Sequence, residues 1–453
     1  MLPPVPTMQV IKGDPTPGLT YNPNDPVYWD RKAVDAEIER VFEICHGCRL
    51  CFNLCPSFPA LFKSVDGHDG DVRKVSLTET NEVIDLCYQC KLCYVKCPYT
   101  PDDKHSFQLD FPRLMMRANA VRKKADPGTI RDRLRTAMLT RPNLVGEIGG
   151  MTAGVANWAN RQAPLRWGME MTLGIHRGKI LPDFHGETFE SWRTQRGTPE
   201  GDPTQAVLFH TCFVNHNIPQ LGRDIIEVFS KNGVSLGCPK QNCCGMPAVE
   251  AGDIELAKSM ARSNVESLFP YVADGRKVLA VNPTCSYMMR KEYAELLGTP
   301  EAKAFAAATM DVSEFLWQRK QQGNFNRDFL SSPGKIAYHV PCHLKAQNIG
   351  FRSRDVMRLI PGAQVRLVEQ CSGHDGTWAM KKEFFPLSML AGKKAFDEMR
   401  EADAEVLATD CPLAAIQFDQ ALGVRPIHPI QVLARAYRPD GFPNKIENKN
   451  ATS

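Results

Sequence analysis

Hydrophobic spacing divides this chain into a helical first half and an alternating second half. Beyond Pro203, short apolar runs such as Ala206-Val207-Leu208-Phe209 and Lys277-Val278-Leu279-Ala280-Val281 alternate with helix-period segments at Pro219–Asn232 and Ile254–Leu268. Strands alternating with helices predict parallel α/β units. The device then repeats. The strand ending His210-Thr211-Cys212 returns as Lys335-Ile336-Ala337-Tyr338-His339-Val340-Pro341-Cys342, and Lys277–Cys285 returns as Ala404–Cys411, so two tandem repeats are expected. Upstream, Thr78–Leu86 places Val83, Ile84 and Leu86 on one helical side, with Thr78 or Thr80 as N-cap. A helix is expected before each of the two cysteine runs described below. Residues 143–184 are also helical, with Trp158, Trp167, Met169, Met171, Leu173 and Ile175 flanked by Arg161, Arg166, Arg177 and Lys179. That stripe suits an amphipathic helix lying on a membrane, or packing between domains. The seven prolines of residues 1–28 predict an extended tail.

The expected fold class is α+α/β. It comprises a Pro-rich tail (1–29), a helical two-cluster ferredoxin domain (30–125), a helical linker (126–203), a first α/β repeat (204–325), a second, degenerate one (334–437) and a tail (438–453). A length of 453 residues fits about three domains, and 43% hydrophobic against 23% charged residues reads as a soluble protein with real cores. No apolar run reaches the ~18 residues of a membrane-spanning helix, and the start Met1-Leu2-Pro3-Pro4-Val5-Pro6 has no signal-peptide character. Sixteen cysteines without an export signal imply reduced thiols and metal, in the cytoplasm. Between Phe111 and Arg141, nine basic side chains face two acidic ones. This run suits an acidic protein partner, anionic lipid headgroups or a plain solvated helical face; it lacks the interleaved aromatics of a nucleic-acid platform. No Gly-x-Gly-x-x-Gly or phosphate-loop motif signals a nucleotide, and no nucleophile arrangement signals a hydrolase.

The chemistry lies in the cysteines. Cys45-x-x-Cys48-x-x-Cys51-x-x-x-Cys55-Pro56 recurs as Cys87-x-x-Cys90-x-x-Cys93-x-x-x-Cys97-Pro98. Three cysteines about a turn apart wrap three corners of a [4Fe–4S] cube; the fourth lies too far along and ligates the neighbouring cube. Cys45, Cys48, Cys51 and Cys97 are therefore expected to hold one cluster, and Cys87, Cys90, Cys93 and Cys55 the other. Zinc, the alternative, uses two ligand pairs rather than two runs of four.

In parallel sheets ligands gather at the C-terminal strand ends, so the cysteines there are expected to converge. The order Cys212, Cys243-Cys244-Gly245, Cys285 resembles the cysteine-rich CCG domain of heterodisulfide reductases and related iron–sulfur subunits. That resemblance implies a five-cysteine site able to hold a non-cubane [4Fe–4S] cluster. Here Met288 stands where the fifth thiolate is expected, leaving Cys212, Cys243, Cys244 and Cys285 as candidate ligands of a third cluster, with Cys238 near enough to substitute; a vicinal Cys243–Cys244 disulfide is the alternative. The second repeat keeps Cys342, Cys371 and Cys411, with His343, His374 and Asp410 as candidate nitrogen or oxygen ligands of a further cluster or metal. The wording around His210–Gly222, Cys243–Pro247, Asn264–Ser267 and Tyr338–His343 is similar to the family of the C subunit of anaerobic glycerol-3-phosphate dehydrogenase, and the architecture to the glycolate oxidase iron–sulfur subunit. The resemblance implies a subunit without its own substrate site. It would take electrons from a flavoprotein dehydrogenase of glycerol-3-phosphate or 2-hydroxy-acid type, pass them towards quinone or another acceptor, and sit peripherally on the cytoplasmic face of the inner membrane. The alternatives are a stand-alone carrier or redox sensor, and a disulfide reductase of the heterodisulfide reductase type.

Overall fold

The computed structural model describes residues 13–196 and 205–445. They form two compact units that divide between Ala125 and Asp126.

The first unit is helical. Helix α1 (Arg31–Cys48) starts at Asp30, whose side chain accepts from the Lys32 N–H, and ends where Arg49 turns left-handed at φ 53°. Helices α2 (Ser57–Gly67), α3 (Leu77–Leu86), α4 (Leu92–Lys96) and α5 (Phe111–Ala125) follow. The N-cap of α3 is Ser76, not Thr78 or Thr80. Ser76 and Glu79 satisfy each other's backbone N–H groups reciprocally, and that capping box starts the helix earlier than either threonine would. Val41, Phe42, Phe58, Leu61, Val83, Phe111 and Leu114 form the core, and the cysteine loops pack against it. Residues 13–29 are held down. Arg117, fully buried, donates to the carbonyls of Gly18 (2.7 Å) and Tyr28 (2.9 Å), and Arg40 donates to Gly13 (2.7 Å).

Much of the basic run is used internally. Arg122 pairs with Asp85, Lys124 lies 4.1 Å from the Trp29 ring centre, and Arg135 bridges Asp132 and Glu383. Most of these partners are distant in sequence, so the run reads as a surface patch only when its neighbours are unknown.

The second unit opens with four helices, α6 (Ile130–Leu139), α7 (Pro142–Met151), α8 (Ala153–Ala159) and α9 (Ala163–Leu173). Strands β1 (Ala206–Phe209), β2 (Leu236–Gly237), β3 (Lys277–Ala280) and β4 (Thr309–Asp311) form a parallel sheet in the order β2-β1-β3-β4. The short pair β5 (Ser331–Ser332) and β9 (Asn444–Lys445) is antiparallel. Strands β6 (Lys335–His339), β7 (Gln364–Val368) and β8 (Val406–Thr409) form the second parallel sheet, ordered β7-β6-β8. The central strands β1 and β6 correspond, as do β3 and β8. One hydrophobic core serves both sheets: Leu208, Phe229, Leu279 and Phe315 from the first repeat pack with Ile336, Tyr338, Ile430 and Leu433 from the second.

In the second sheet His339 is fully enclosed, with Nδ1 3.0 Å from Thr409 Oγ1 and Nε2 3.2 Å from the Gln370 carbonyl. Burial pulls its pKa down to about 3. Between that value and ~6.5 the unfolded chain binds a proton that the folded one refuses, so stability falls as the solution is acidified. Urea unfolding should show this residue costing about 1.4 kcal/mol on going from pH 7.5 to 5.5, a slope that His339→Gln removes. An equal pH slope in the variant would show that other groups carry it.

Candidate metal centres

The first unit contains two cysteine-lined cavities. Cys45 and Cys48 occupy the last turn of α1, and Cys51 follows its left-handed cap. With Cys97 they line a space walled by Ile44, Phe58, Phe62, Pro98 and Leu109. Cys55, just ahead of α2, joins Cys87, Cys90 and Cys93 around a second cavity, against Leu54, Phe111 and Pro112. Each cavity thus draws three cysteines from one run and one from the other. Burial, then the neighbouring sulfurs, push the Cys45 and Cys93 thiols well up and Cys51 to about 12. Cys51 is among the charges felt at Cys93, so the two cavities adjoin. Crowded, desolvated thiolates need a cation to offset them. An all-sulfur set in an apolar cavity fits soft iron–sulfur ligation.

In the first repeat the cysteines follow the strand ends. Cys212 lies in the helix Thr211–His216 after β1, and Cys285 in the helix Pro283–Tyr287 after β3. Thr211 is held at φ 76°, strain of about 1–2 kcal/mol for a β-branched residue. Its N–H donates to Gln241 Oε1 (3.3 Å), and Gln241 Nε2 donates back to the Leu208 carbonyl (3.1 Å). The four sulfurs touch in a chain: Cys243 is hydrogen-bonded to Cys212 and Cys244, and Cys244 to Cys285. Those bonds from Cys212 and Cys244 hold the Cys243 thiol well below its ordinary value. The bond to Cys243 and burial push Cys212 up; the bonds to Cys243 and Cys285 push Cys244 up. All sixteen cysteines are free thiols, so no vicinal disulfide links Cys243 to Cys244. Cys238 stands apart. It packs against the shared core, and the charges it feels are Arg193 and Glu190 rather than the four thiols. Met288 is fully buried, its Cε 3.6 Å from where a β-carbon on Gly245 would sit.

Sequence reading missed the residues that hold this site. Asn264 Nδ2 donates to the Cys243 carbonyl and Tyr293 Oη to the Cys244 carbonyl, both at 3.0 Å. From α7, Asn143 Nδ2 donates to Asn242 Oδ1 at 3.0 Å. Asn264 alone carried a signal, as a polar residue on the apolar side of an amphipathic helix.

In the second repeat Cys342 feels Asp375, Cys371 and Cys411, and burial pushes its thiol well up. Ligand atoms of Cys342, His343 and Asp375 lie within 4.8 Å of one another. His374 is buried, and neither ring nitrogen has a hydrogen-bond partner among the described residues. Asp410 is no ligand: its oxygens accept from the hydroxyls of Tyr338 and Ser353 inside the core. The donor set is mixed sulfur, nitrogen and oxygen, which suits a single metal ion or a cluster with one non-thiolate ligand. The two repeats' sites are joined. Thr284 Oγ1 lies 2.9 Å from His343 Nδ1, Tyr287 stacks on that ring at 5.2 Å, and Gln347 Nε2 donates to Ser286 Oγ at 2.8 Å.

Comparison with known proteins agrees with this architecture. The 4Fe–4S dicluster domain family matches residues 44–102, and the CCG cysteine-rich domain family matches 206–290 and 336–419. The chain is 31% identical to the C subunit of the anaerobic glycerol-3-phosphate dehydrogenase of Escherichia coli (strain K12), over 70% of this chain and 80% of that protein. It is 24% identical to the B subunit of the fumarate reductase (CoM/CoB) of Methanothermobacter marburgensis, over 53% of this chain and 48% of that one. With lactate utilization protein A of an Exiguobacterium strain it shares 28% identity, over 44% of this chain and 82% of the relative. The chain belongs to the family of the anaerobic glycerol-3-phosphate dehydrogenase C subunits: it is a 4Fe–4S iron–sulfur subunit of an oxidoreductase, with two CCG repeats.

Proposed function

We propose that this subunit takes electrons from a flavoprotein dehydrogenase, of the glycerol-3-phosphate or 2-hydroxy-acid type, and passes them towards quinone or another acceptor. The observation that carries the reading is the pair of adjoining apolar cavities, each lined by four cysteines drawn from both runs. In this reading Cys45, Cys48, Cys51 and Cys97 hold one [4Fe–4S] cluster, and Cys87, Cys90, Cys93 and Cys55 the other. Cys212, Cys243, Cys244 and Cys285 hold a third, while Cys342, Cys371 and Cys411 form a lesser metal site with His343, His374 or Asp375. Bound clusters supply one-electron relay between closely spaced centres. The chain's own contribution is to exclude water with Phe58, Phe62 and Phe111, and to orient the Cys243-Cys244 turn through Asn264 and Tyr293.

No helix among the described residues is long and apolar enough to cross a membrane. Helices α6–α9 nonetheless expose Ile130, Leu144, Met151, Trp158, Trp167 and Met171. These exposed side chains, with tryptophans among basic residues, support peripheral contact with the cytoplasmic face of the inner membrane.

The test is anaerobic: a flavoprotein dehydrogenase given glycerol 3-phosphate or a 2-hydroxy acid should bleach the cluster absorbance of this subunit, while the substrates alone should not. Bleaching by substrate alone would show a substrate site of the chain's own and overturn the reading. For the third cluster, Cys212→Ser/Cys243→Ser should remove about four iron atoms per chain, measured with acid-labile sulfide; unchanged iron sinks that part.

A further inference from the structure

The second unit contains a cavity that no cysteine lines. It measures about 540 Å³ and is walled by the end of α8, the start of α9, the segment 177–183 and Arg425. Five basic residues line it, Arg161, Arg166, Arg177, Lys179 and Arg425, against one acidic residue, Asp183.

We propose that this cavity is a binding site for a phosphate group. Its walls are built rather than incidental. Arg166 is 5% exposed and spends its guanidinium on the carbonyls of His176 (2.8 Å), Arg177 (3.2 Å) and Lys179 (2.8 Å), fixing the loop that presents the next two cations. From the opposite side Gln417 holds the Lys179 ammonium, and Gln420 Oε1 accepts the Ile180 N–H at 2.7 Å. Lys179 is 2% exposed and bonded to Gln417, so its side chain braces the loop. Asp183 and Asp419 engage Arg161 and Arg425 and Gln417 holds Lys179, so exposed Arg177 is the loop cation that meets a ligand beside them. A phosphate, with several anionic oxygens, matches grouped guanidinium donors better than a single carboxylate does.

The phosphate has two possible sources, a phospholipid headgroup or a free phosphate ester. Because α8 and α9, which wall the cavity, also expose Trp158, Trp167 and Met171, the headgroup is the favoured source; this part rests on the membrane contact proposed above, while the phosphate site itself does not.

The test uses the full chain loaded with its clusters under anaerobic conditions. Inorganic phosphate is titrated by calorimetry, and co-sedimentation compares phosphatidylcholine vesicles with and without phosphatidylglycerol. Phosphate should bind once per chain. Arg177→Gln and Lys179→Met should each weaken binding about tenfold or more, with iron content unchanged, whereas Lys303→Gln, outside the cavity, should not. Arg177 is exposed, so its variant keeps the test valid even where Lys179→Met misfolds. Loss of phosphatidylglycerol-dependent sedimentation in Arg177→Gln assigns the headgroup; unchanged sedimentation with weakened phosphate binding assigns a free ester. No phosphate binding, or binding untouched in Arg177→Gln, overturns the proposal, and neither result alters reduction by the flavoprotein.

Discussion

Serine at position 97 is expected to remove the cluster whose other three sulfurs lie in the first cysteine run, not the run that Cys97 closes. Cys45, Cys48 and Cys51 share their cavity with Cys97, whereas Cys87, Cys90 and Cys93 share theirs with Cys55. Cys45→Ser and Cys97→Ser should therefore each cost about four iron atoms per chain, and the double variant no more than either single. Variants on separate clusters would add, losing about eight. Cys45→Ser/Cys87→Ser supplies that additive control. Iron and sulfide analysis decides between the two outcomes: an additive loss in Cys45→Ser/Cys97→Ser would mean that each run closes its own cluster.

The second large effect comes from a difference between two loops of the same design. In Cys48-Arg49-Leu50-Cys51 and Cys90-Lys91-Leu92-Cys93, the cation after the second cysteine adopts the left-handed conformation, at φ 53° and φ 62°. Arg49 points outward, exposed, and shares Asp66 with His46. Lys91 is 2% exposed, its Nζ 2.8 Å from Gln89 Oε1 and 3.4 Å from Met116 Sδ, and Gln89 Nε2 reaches Cys87 Sγ at 3.4 Å. A buried charge roughly 8 Å from a cluster, at an effective dielectric of about 20, is worth about 2 kcal/mol, or about 90 mV for one electron. An exposed, paired one is screened to a small fraction of that. Positive charge favours the reduced state. Lys91→Met should thus lower one cluster's midpoint potential by roughly 50–100 mV, while Arg49→Met moves the other by about 20 mV or less. Potentiometric titration followed by electron paramagnetic resonance reads both. Equal shifts in the two variants would show that burial does not set the order in which the clusters fill.

What could be read from the sequence was what period and spacing encode. The strands before Cys212, Cys285, Cys342 and Cys411 announce themselves as short apolar runs, and parallel pairing carries their ends to common places. Residues whose roles depend on distant partners stayed hidden. Asp410, beside Cys411, resembles a ligand until Tyr338 and Ser353 are seen to occupy its oxygens. Cys238 lies five positions before Cys243 in the sequence, yet β2 carries it into the core instead. Arg117 counts as one more surface charge until three carbonyls of the N-terminal segment are found on its guanidinium.

The core shared by the two sheets sets the terms on which the second repeat can lose its ligands. A free-standing domain that had shed its thiols could be deleted at little cost. Here Ile336, Tyr338, Ile430 and Leu433 complete the packing around Leu208 and Leu279, so removing the second repeat would open the interior that holds the first repeat's cysteines in place. Substitution of the ligands themselves leaves that interior closed. The scaffold of the second repeat is therefore tied to that of the first, whatever its three thiols bind.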